Sequence, residues 1–179
     1  PPSSAKENRY DPRLPCLYGN WPCASKASGR RLARQCCPVR ADGVSLAEWA
    51  SAQFVHSDAL IFVGAAGIAV RAIAPHCKSK TTDPAVVVVD ECGRFAVPIL
   101  SGHLGGANDL ARAIAAVCGA VPVITTATDA HGIFAVDEWA KHQNCTVLEA
   151  ERIKHVSSKL LAGQSVRFAA EFPVQAPRP

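Results

Sequence analysis

The stretch "SGHLGGAN", residues 101–108, places one histidine among three glycines. An imidazole has an ordinary pKa of about 6.5, so it can donate or accept a proton at neutral pH. Gly102 and the pair Gly105 and Gly106 leave His103 without bulky neighbours and allow a ligand to approach bare backbone. His103 is therefore a candidate acid–base residue, although a turn histidine bonded only to backbone would have the same sequence.

A second polar stretch, "TTATDAHG", covers residues 125–132. Asp129 and His131 could supply an acid–base partner for His103 if the two stretches meet. Asp129 could equally cap the helix that follows it. Thr125, Thr126 and Thr128 offer hydroxyls to a polar ligand, but threonines are also common at strand ends.

The third candidate is "GAAG", residues 64–67, which opens a helix. Gly64 and Gly67 would let an anion reach the free N–H groups at that helix terminus. Arg71 lies one turn further on and leans back toward the loop, where it could pair with the anion or simply face solvent. The stretch is not a complete dinucleotide-binding fingerprint, so a nucleotide site is the weaker interpretation.

Alternating apolar runs and helical patterns must position these loops. The pattern predicts strands near 59–63, 85–90, 95–100 and 121–126. Because helices alternate with them, we expect an α/β fold with a three-layer, mainly parallel, Rossmann-like sheet. Only a short turn separates the second and third strands, which predicts an antiparallel hairpin. Ligands gather at the carboxyl ends of such strands, so we expect the loops after residues 63 and 100 to lie side by side.

Several residues predict where elements begin, end or bend. Ser45 and Glu48 have the spacing of a capping box. Asn108 is a candidate cap for the helix that Gly119 ends. Pro98 indicates a sheet edge or a bulge in the third predicted strand.

Composition narrows the functional classes. Hydrophobic residues make up 49% of the 179 residues and charged residues 19%, which favours a packed core. Neither a membrane-spanning run nor a signal peptide is evident, which predicts a cytoplasmic protein without a membrane partner. The net charge of +4 comes from residues 1–45, where eight basic residues face three acidic ones. No nucleic-acid motif accompanies them, so we expect a solvated surface and no nucleic-acid partner.

The eight cysteines do not have the spacing of a zinc site. Cys77, Cys92, Cys118 and Cys145 stand singly, and we expect free thiols there. The sequence therefore predicts no metal bound by the protein itself.

Residues 59–141 resemble the CbiG family of cobalamin biosynthesis, the cobalt-precorrin-5A hydrolases. The resemblance rests on "GAAGIAVRAIAP", "KTTDPAVVVVDE", "SGHLGGAN", "PVITTATD" and "FAVDEWA". It implies a hydrolase of the anaerobic route to vitamin B12 that opens the lactone of a cobalt corrinoid and releases acetaldehyde. The cobalt belongs to the substrate, so the resemblance implies no further cofactor.

The chemistry of that reaction suggests roles for the residues already singled out. His103 and Asp129 would be catalytic, with His103 as the base and the N–H groups of Gly105 and Gly106 holding the oxyanion. The corrinoid carries many carboxylates, which suits cations and helix N-termini. The substrate-binding candidates are Gly64, Gly67, Arg71, Lys80, Ser101, Gly102, Gly105, Gly106, Asn108, Thr125, Thr126 and His131.

The resemblance also divides the chain. We expect an irregular basic segment at 1–44, the CbiG N-terminal-like α/β domain at 45–130, and the truncated start of the family's middle domain at 131–179, ending in a Pro-rich tail. A separate C-terminal domain or other cobalamin-pathway enzymes would then be partners, besides the corrinoid. The alternatives are a non-catalytic corrinoid- or anion-binding module and an unrelated nucleotide- or sugar-phosphate-binding domain.

Overall fold

A six-stranded sheet forms the centre of the computed structural model, which describes residues 16–18, 35–37 and 43–171. The strands are β1 (Cys16–Tyr18), β2 (Gln35–Cys37), β3 (Ala59–Val63), β4 (Ala85–Val89), β5 (Phe95–Leu100) and β6 (Val121–Pro122). Their order across the sheet is β2-β1-β3-β4-β5-β6. The first two strands fall in the predicted segment 1–44. Apart from these strands and residues 43 and 44, that segment lies outside the described residues, as does the end at 173–179.

The sheet changes direction once. Every neighbouring pair is parallel except β4 and β5, which are antiparallel. Asp90 organises the turn between them, because its carboxylate accepts hydrogen bonds from the backbone N–H groups of Cys92, Arg94 and Phe95. The predicted hairpin and the mainly parallel sheet are both confirmed.

The hairpin places the two glycine loops at opposite edges of the sheet. Gly64 follows β3 and donates its N–H to the carbonyl of Val89, at the end of β4. Ser101 follows β5 and donates its hydroxyl to the carbonyl of Asp83, before the start of β4, over 2.9 Å. The prediction that these loops lie side by side is therefore wrong, because β5 runs antiparallel to β3 and β4.

Helices cover both faces, which confirms the three layers. They are α1 (Leu46–His56), α2 (Ala66–Ile73), α3 (Ala107–Cys118), α4 (Ala127–Ala130), α5 (Val136–His142) and α6 (Ile153–Leu161), with short 3-10 turns at Ala74–His76 and Ala150–Arg152. Alternate residues of β3 and β4 point to opposite faces. Ile61 and Val87 pack with α3, whereas Leu60 and Val86 pack with α1 and α2.

The structure confirms two of the predicted helix ends and contradicts a third. The capping box is present, since Ser45 donates its N–H to Glu48 and receives the N–H of Glu48 on its hydroxyl. Gly119 ends α3 in the left-handed conformation, as predicted, but Gly106 caps its start at φ +84°. Asn108 instead lies inside the first turn, 2% exposed. The prediction that it caps α3 is wrong, because its side chain is used elsewhere.

Two further predictions concern β5 and β6. The register between β4 and β5 shifts opposite Pro98, so the predicted bulge is present. β6 ends at Pro122, four residues earlier than predicted, and the chain then turns toward α4. Among the helices of the described part of the chain, none combines the length and apolar character needed to cross a membrane.

The four singly placed cysteines are free thiols, as predicted. The side chains of the other four lie outside the described part of the chain.

Candidate active site

His103 lies between two carboxylates that come from different helices. Its Nε2 atom is 2.7 Å from Oδ2 of Asp129 on α4, and its Nδ1 atom is 3.4 Å from Oδ2 of Asp137 on α5. The His103 side chain is 14% exposed, and both aspartates are similarly buried. The imidazole is therefore fixed at both nitrogens, which excludes the simple turn histidine.

Asp129 is the hub of this cluster. Its carboxylate accepts hydrogen bonds from the hydroxyl of Thr126, the guanidinium of Arg112 and, over 3.1 Å, the amide of Asn108. Asn108 also donates to the Thr126 hydroxyl over 3.1 Å, so one side-chain amide links both partners. Asp129 thus orients His103 and does not act as the helix cap that the sequence also allowed.

This arrangement sets the charge of His103. The hydrogen bond to Asp137 and, after it, the one to Asp129 raise the pKa of His103 to about 9 although burial opposes the charge. Burial also opposes ionisation of the two aspartates, but the hydrogen bonds from His103 help to hold the pKa of each below its usual range. At pH 7 His103 is therefore predominantly protonated. The geometry favours a proton donor and fixed cation over the predicted free base.

The packing of the loop after β5 explains its glycines without a ligand. A Cβ atom on Gly105 would lie 2.3 Å from Cβ of Ser101, and one on Gly102 would lie 2.9 Å from Oδ1 of Asn108. Ser101 itself has a left-handed backbone, at φ +54°, which is rare for a residue with a side chain. The loop is therefore folded tightly on itself, and its glycines make that folding possible.

Backbone N–H groups of this loop donate hydrogen bonds to carbonyls of the same loop. Gly106 donates its N–H to the carbonyl of His103 over 3.0 Å. Ala107 and Asn108 donate theirs to the carbonyls of Ser101 and Gly102. The N–H of Gly106 is consequently not free to hold an oxyanion, which removes one of the two predicted donors of the oxyanion hole.

A cavity of about 340 Å³ opens beside His103. Its lining includes the hydroxyls of Thr126 and Thr128 and the side chains of Lys80 and Asp137. The Thr128 hydroxyl lies 3.4 Å from Nε2 of His103. A substrate group in this cavity would meet the charged imidazole and two hydroxyls.

The structure gathers most of the predicted site residues but not all. Five of them line the cavity: Lys80, Ser101, Gly102, His103 and Thr126. Four support it from behind or beside it: Gly105, Gly106, Asn108 and Asp129. Three lie at the opposite edge of the sheet: Gly64, Gly67 and Arg71. Thr125 and His131 are exposed and do not line the cavity.

Sequence reasoning missed four residues of the site. Arg112 contacts Asp129, and its position four residues after Asn108 on the same face of α3 was the available signal. Asp137 lies within the motif "FAVDEWA", and its carboxylate inside that motif was the available signal. Lys154 and Ser157 line the cavity from α6, and no motif indicated them.

Two groups of side chains in the described part of the chain have the composition of a metal site, and one of them includes His103. His103, Asp129 and Glu138 offer ligand atoms within 4.8 Å of one another. The Arg112 guanidinium contacts Asp129 and lies 3.7 Å from Glu138, so a cation of the protein already compensates these carboxylates. The donor set therefore fits an internal ion-pair network better than a metal centre.

Comparisons with known proteins agree with the motifs. The family model described as "Cobalamin synthesis G N-terminal" matches residues 48–129. A cobalt-precorrin-5A hydrolase of Salmonella typhimurium is 47% identical over 114 residues, which are 63% of this chain and 32% of that protein. A cobalt-precorrin-5A hydrolase of Priestia megaterium is 42% identical over 112 residues, 63% of this chain and 30% of that protein.

A solved structure of a cobalamin biosynthesis protein G homolog from Sulfolobus solfataricus is 21% identical, with a TM-score of 0.48, and covers 90% of this chain and 51% of that one. The chain spans about a third of the length of the curated relatives it matches. His103 and Asp129 both lie within the segment that the family model covers. Residues 48–129 of this chain therefore match the N-terminal segment of the CbiG family of cobalamin-synthesis proteins.

Proposed function

We propose that this chain provides the N-terminal part of a cobalt-precorrin-5A hydrolase of anaerobic cobalamin synthesis. The relatives that share 42–47% identity with it carry that name. The observation that carries the proposal is the buried imidazole of His103, which lies between the carboxylates of Asp129 and Asp137 at the wall of a cavity. A proton donor placed where negative charge develops assists the hydrolysis of a lactone.

The proposed reaction begins with opening of the lactone. Water adds to the carbonyl carbon, the ring C–O bond breaks, and the products are a carboxylate, a hydroxyl group and a proton. His103, as an imidazolium, donates its proton to the departing alkoxide, which would otherwise be a poor leaving group. Asp129 and Asp137 stabilise the charged imidazole before this transfer, and they keep its ring in one orientation.

Release of acetaldehyde follows from the same group. After the first step His103 is neutral and can take a proton back from the hydroxyl of the two-carbon unit. The C–C bond between that unit and the macrocycle then breaks, and its electron pair stays on the macrocycle. One histidine would thus donate a proton in the first step and accept one in the second.

The remaining partners are part of the proposal. The substrate is the cobalt corrinoid, whose cobalt it carries itself, and no further cofactor is required. A cavity of about 340 Å³ lies at the low end of the range for ligand pockets, so it would receive one arm of the macrocycle and not the whole ring. A C-terminal part, as in the longer relatives, would cover the rest of the ring.

The test is release of acetaldehyde from cobalt-precorrin-5A by the chain together with the C-terminal part of the Salmonella relative. His103→Asn should lower turnover by about 100-fold or more, as expected for loss of a proton donor. His131→Asn is the matched control, because His131 is exposed and outside the cavity. Equal effects of the two substitutions would contradict the role of His103. Corrinoid binding without acetaldehyde release would favour the non-catalytic module.

A further inference from the structure

Helix α6 forms one wall of the His103 cavity although it lies outside the segment that the family model covers. Ile153, Lys154, Ser157 and Leu161 all line the cavity. Their spacing of one, three and four residues places them on one face of the helix. Ile153 is 6% exposed and anchors this face at its first turn. The helix therefore contributes a lysine and a serine to the lining of the site.

Lys80 approaches the same cavity from a loop that is held in shape. The carboxylate of Asp83 accepts the backbone N–H groups of Lys78 and Ser79, at distances between 2.9 and 3.1 Å. The carbonyl of Asp83 accepts the hydroxyl of Ser101, two residues before His103. Asp83 thus fixes the loop that carries Lys80 to the loop that carries His103.

The charges that line the cavity do not balance. Lys80, Lys154 and the imidazolium of His103 face one carboxylate, that of Asp137, which already contacts His103. Within residues 43–171 neither lysine takes part in an ion pair. Two ammonium groups are therefore available to an anion that enters from solvent.

The rest of the lining is apolar. Leu104 comes from the loop after β5, and Ile153 and Leu161 come from α6. These side chains can contact a short aliphatic stem, while the cations cannot be satisfied by one. We propose that this cavity is a binding site for a carboxylate on a short aliphatic stem, which Lys80 and Lys154 hold from opposite elements. The site does not depend on the hydrolase activity.

The experiment measures binding of glutarate to the 179-residue chain by nuclear magnetic resonance, with His103 ring signals as the probe. Glutaramide, which has the same stem without charge, should not bind. Lys80→Gln and Lys154→Gln should each raise the Kd for glutarate about threefold to fivefold, and together about ninefold to twenty-five-fold. Lys78→Gln on the same loop and Lys159→Gln on the same helix are matched controls, because neither side chain lines the cavity. The controls should leave the Kd unchanged.

Three outcomes would overturn the inference. One is that glutarate fails to shift His103; another is that glutaramide binds as well as glutarate. The third is that all four lysine substitutions weaken binding equally, which would mean attraction to net charge alone. The four lysines are exposed, so their substitution should not prevent folding. The glutarate experiment contains no corrinoid, so its result is independent of the acetaldehyde assay. Glutarate binding together with a negative acetaldehyde assay would support this site and refute the proposed function.

Discussion

Replacing Asp137 with asparagine should lower the pKa of His103. The Asp137 carboxylate lies 3.4 Å from Nδ1 of the ring and is the largest cause of the pKa of about 9. Asp129 is closer, at 2.7 Å, but Arg112 and Thr126 share its charge. Removing the carboxylate of Asp137 should therefore lower the pKa of His103 by more than the two distances alone imply.

The size of the effect can be bounded from the structure. A rise from 6.5 to about 9 corresponds to about 3 kcal/mol in favour of the charged ring. An opposite charge at this distance shifts a pKa by about one to three units, so we expect Asp137→Asn to lower the pKa of His103 by about one to two units. The remaining hydrogen bond to Asp129 should keep it above 6.5.

The assay is a pH titration of the ring signals of His103 by nuclear magnetic resonance, from pH 5 to 11. Asp109→Asn is the matched control, since Asp109 contacts Arg112 and His142 but not His103. A pKa that stays near 9 in Asp137→Asn would refute the reasoning. It would place the cause of the raised pKa in Asp129.

Further predictions concern stability and the loops. The pKa of His103 is raised in the folded state, so the contribution of His103 to the free energy of unfolding should be full below pH 6.5 and lost as the pH rises through about 9. Urea denaturation of the native chain and of His103→Gln at pH 6 and pH 10 measures this contribution. A difference between the two proteins that does not change with pH would contradict the prediction. Gly105→Ala should destabilise the fold by about 1–3 kcal/mol because the new Cβ would clash with Ser101. Gly67→Ala in α2, where a Cβ meets nothing, should be neutral or stabilise the fold by up to about 1 kcal/mol. Melting curves compare the two variants, and equal shifts in melting temperature would contradict the packing argument. Asp83→Ala should speed hydrogen exchange at the N–H groups of Lys78 and Ser79, which lose their acceptor, and unchanged exchange would show that the loop holds without it.

Local patterns predicted the elements well because their causes are local. The fully apolar run of β4 has to be buried on both faces, and the short turn after it leaves the chain little choice but to reverse. The capping box and the glycine that ends α3 depend on neighbours within four residues. In each case the residues that decide the structure lie within the pattern itself.

The site was predicted only in part because its contacts are distant in sequence. His103 and Asp129 were recognised by residue type, but Asp137 and Lys154 reach the ring and its cavity through helices whose placement no local pattern fixes. Asn108 looked like a cap because asparagine often is one, yet its amide bonds Thr126 and Asp129. Tertiary contacts outweighed the local preference there.

The error about the glycine loops shows what builds this site. The rule that ligands gather at the carboxyl ends of strands assumes that neighbouring strands are parallel. Here β5 and β6 run against β4, so the loops after them meet the loop before β4, which is where Lys80 and Asp83 lie. A fully parallel sheet would have brought His103 to the edge that holds Gly64 instead. The reversal at the hairpin is thus the step that joins the imidazolium of His103 to Lys80 in one cavity.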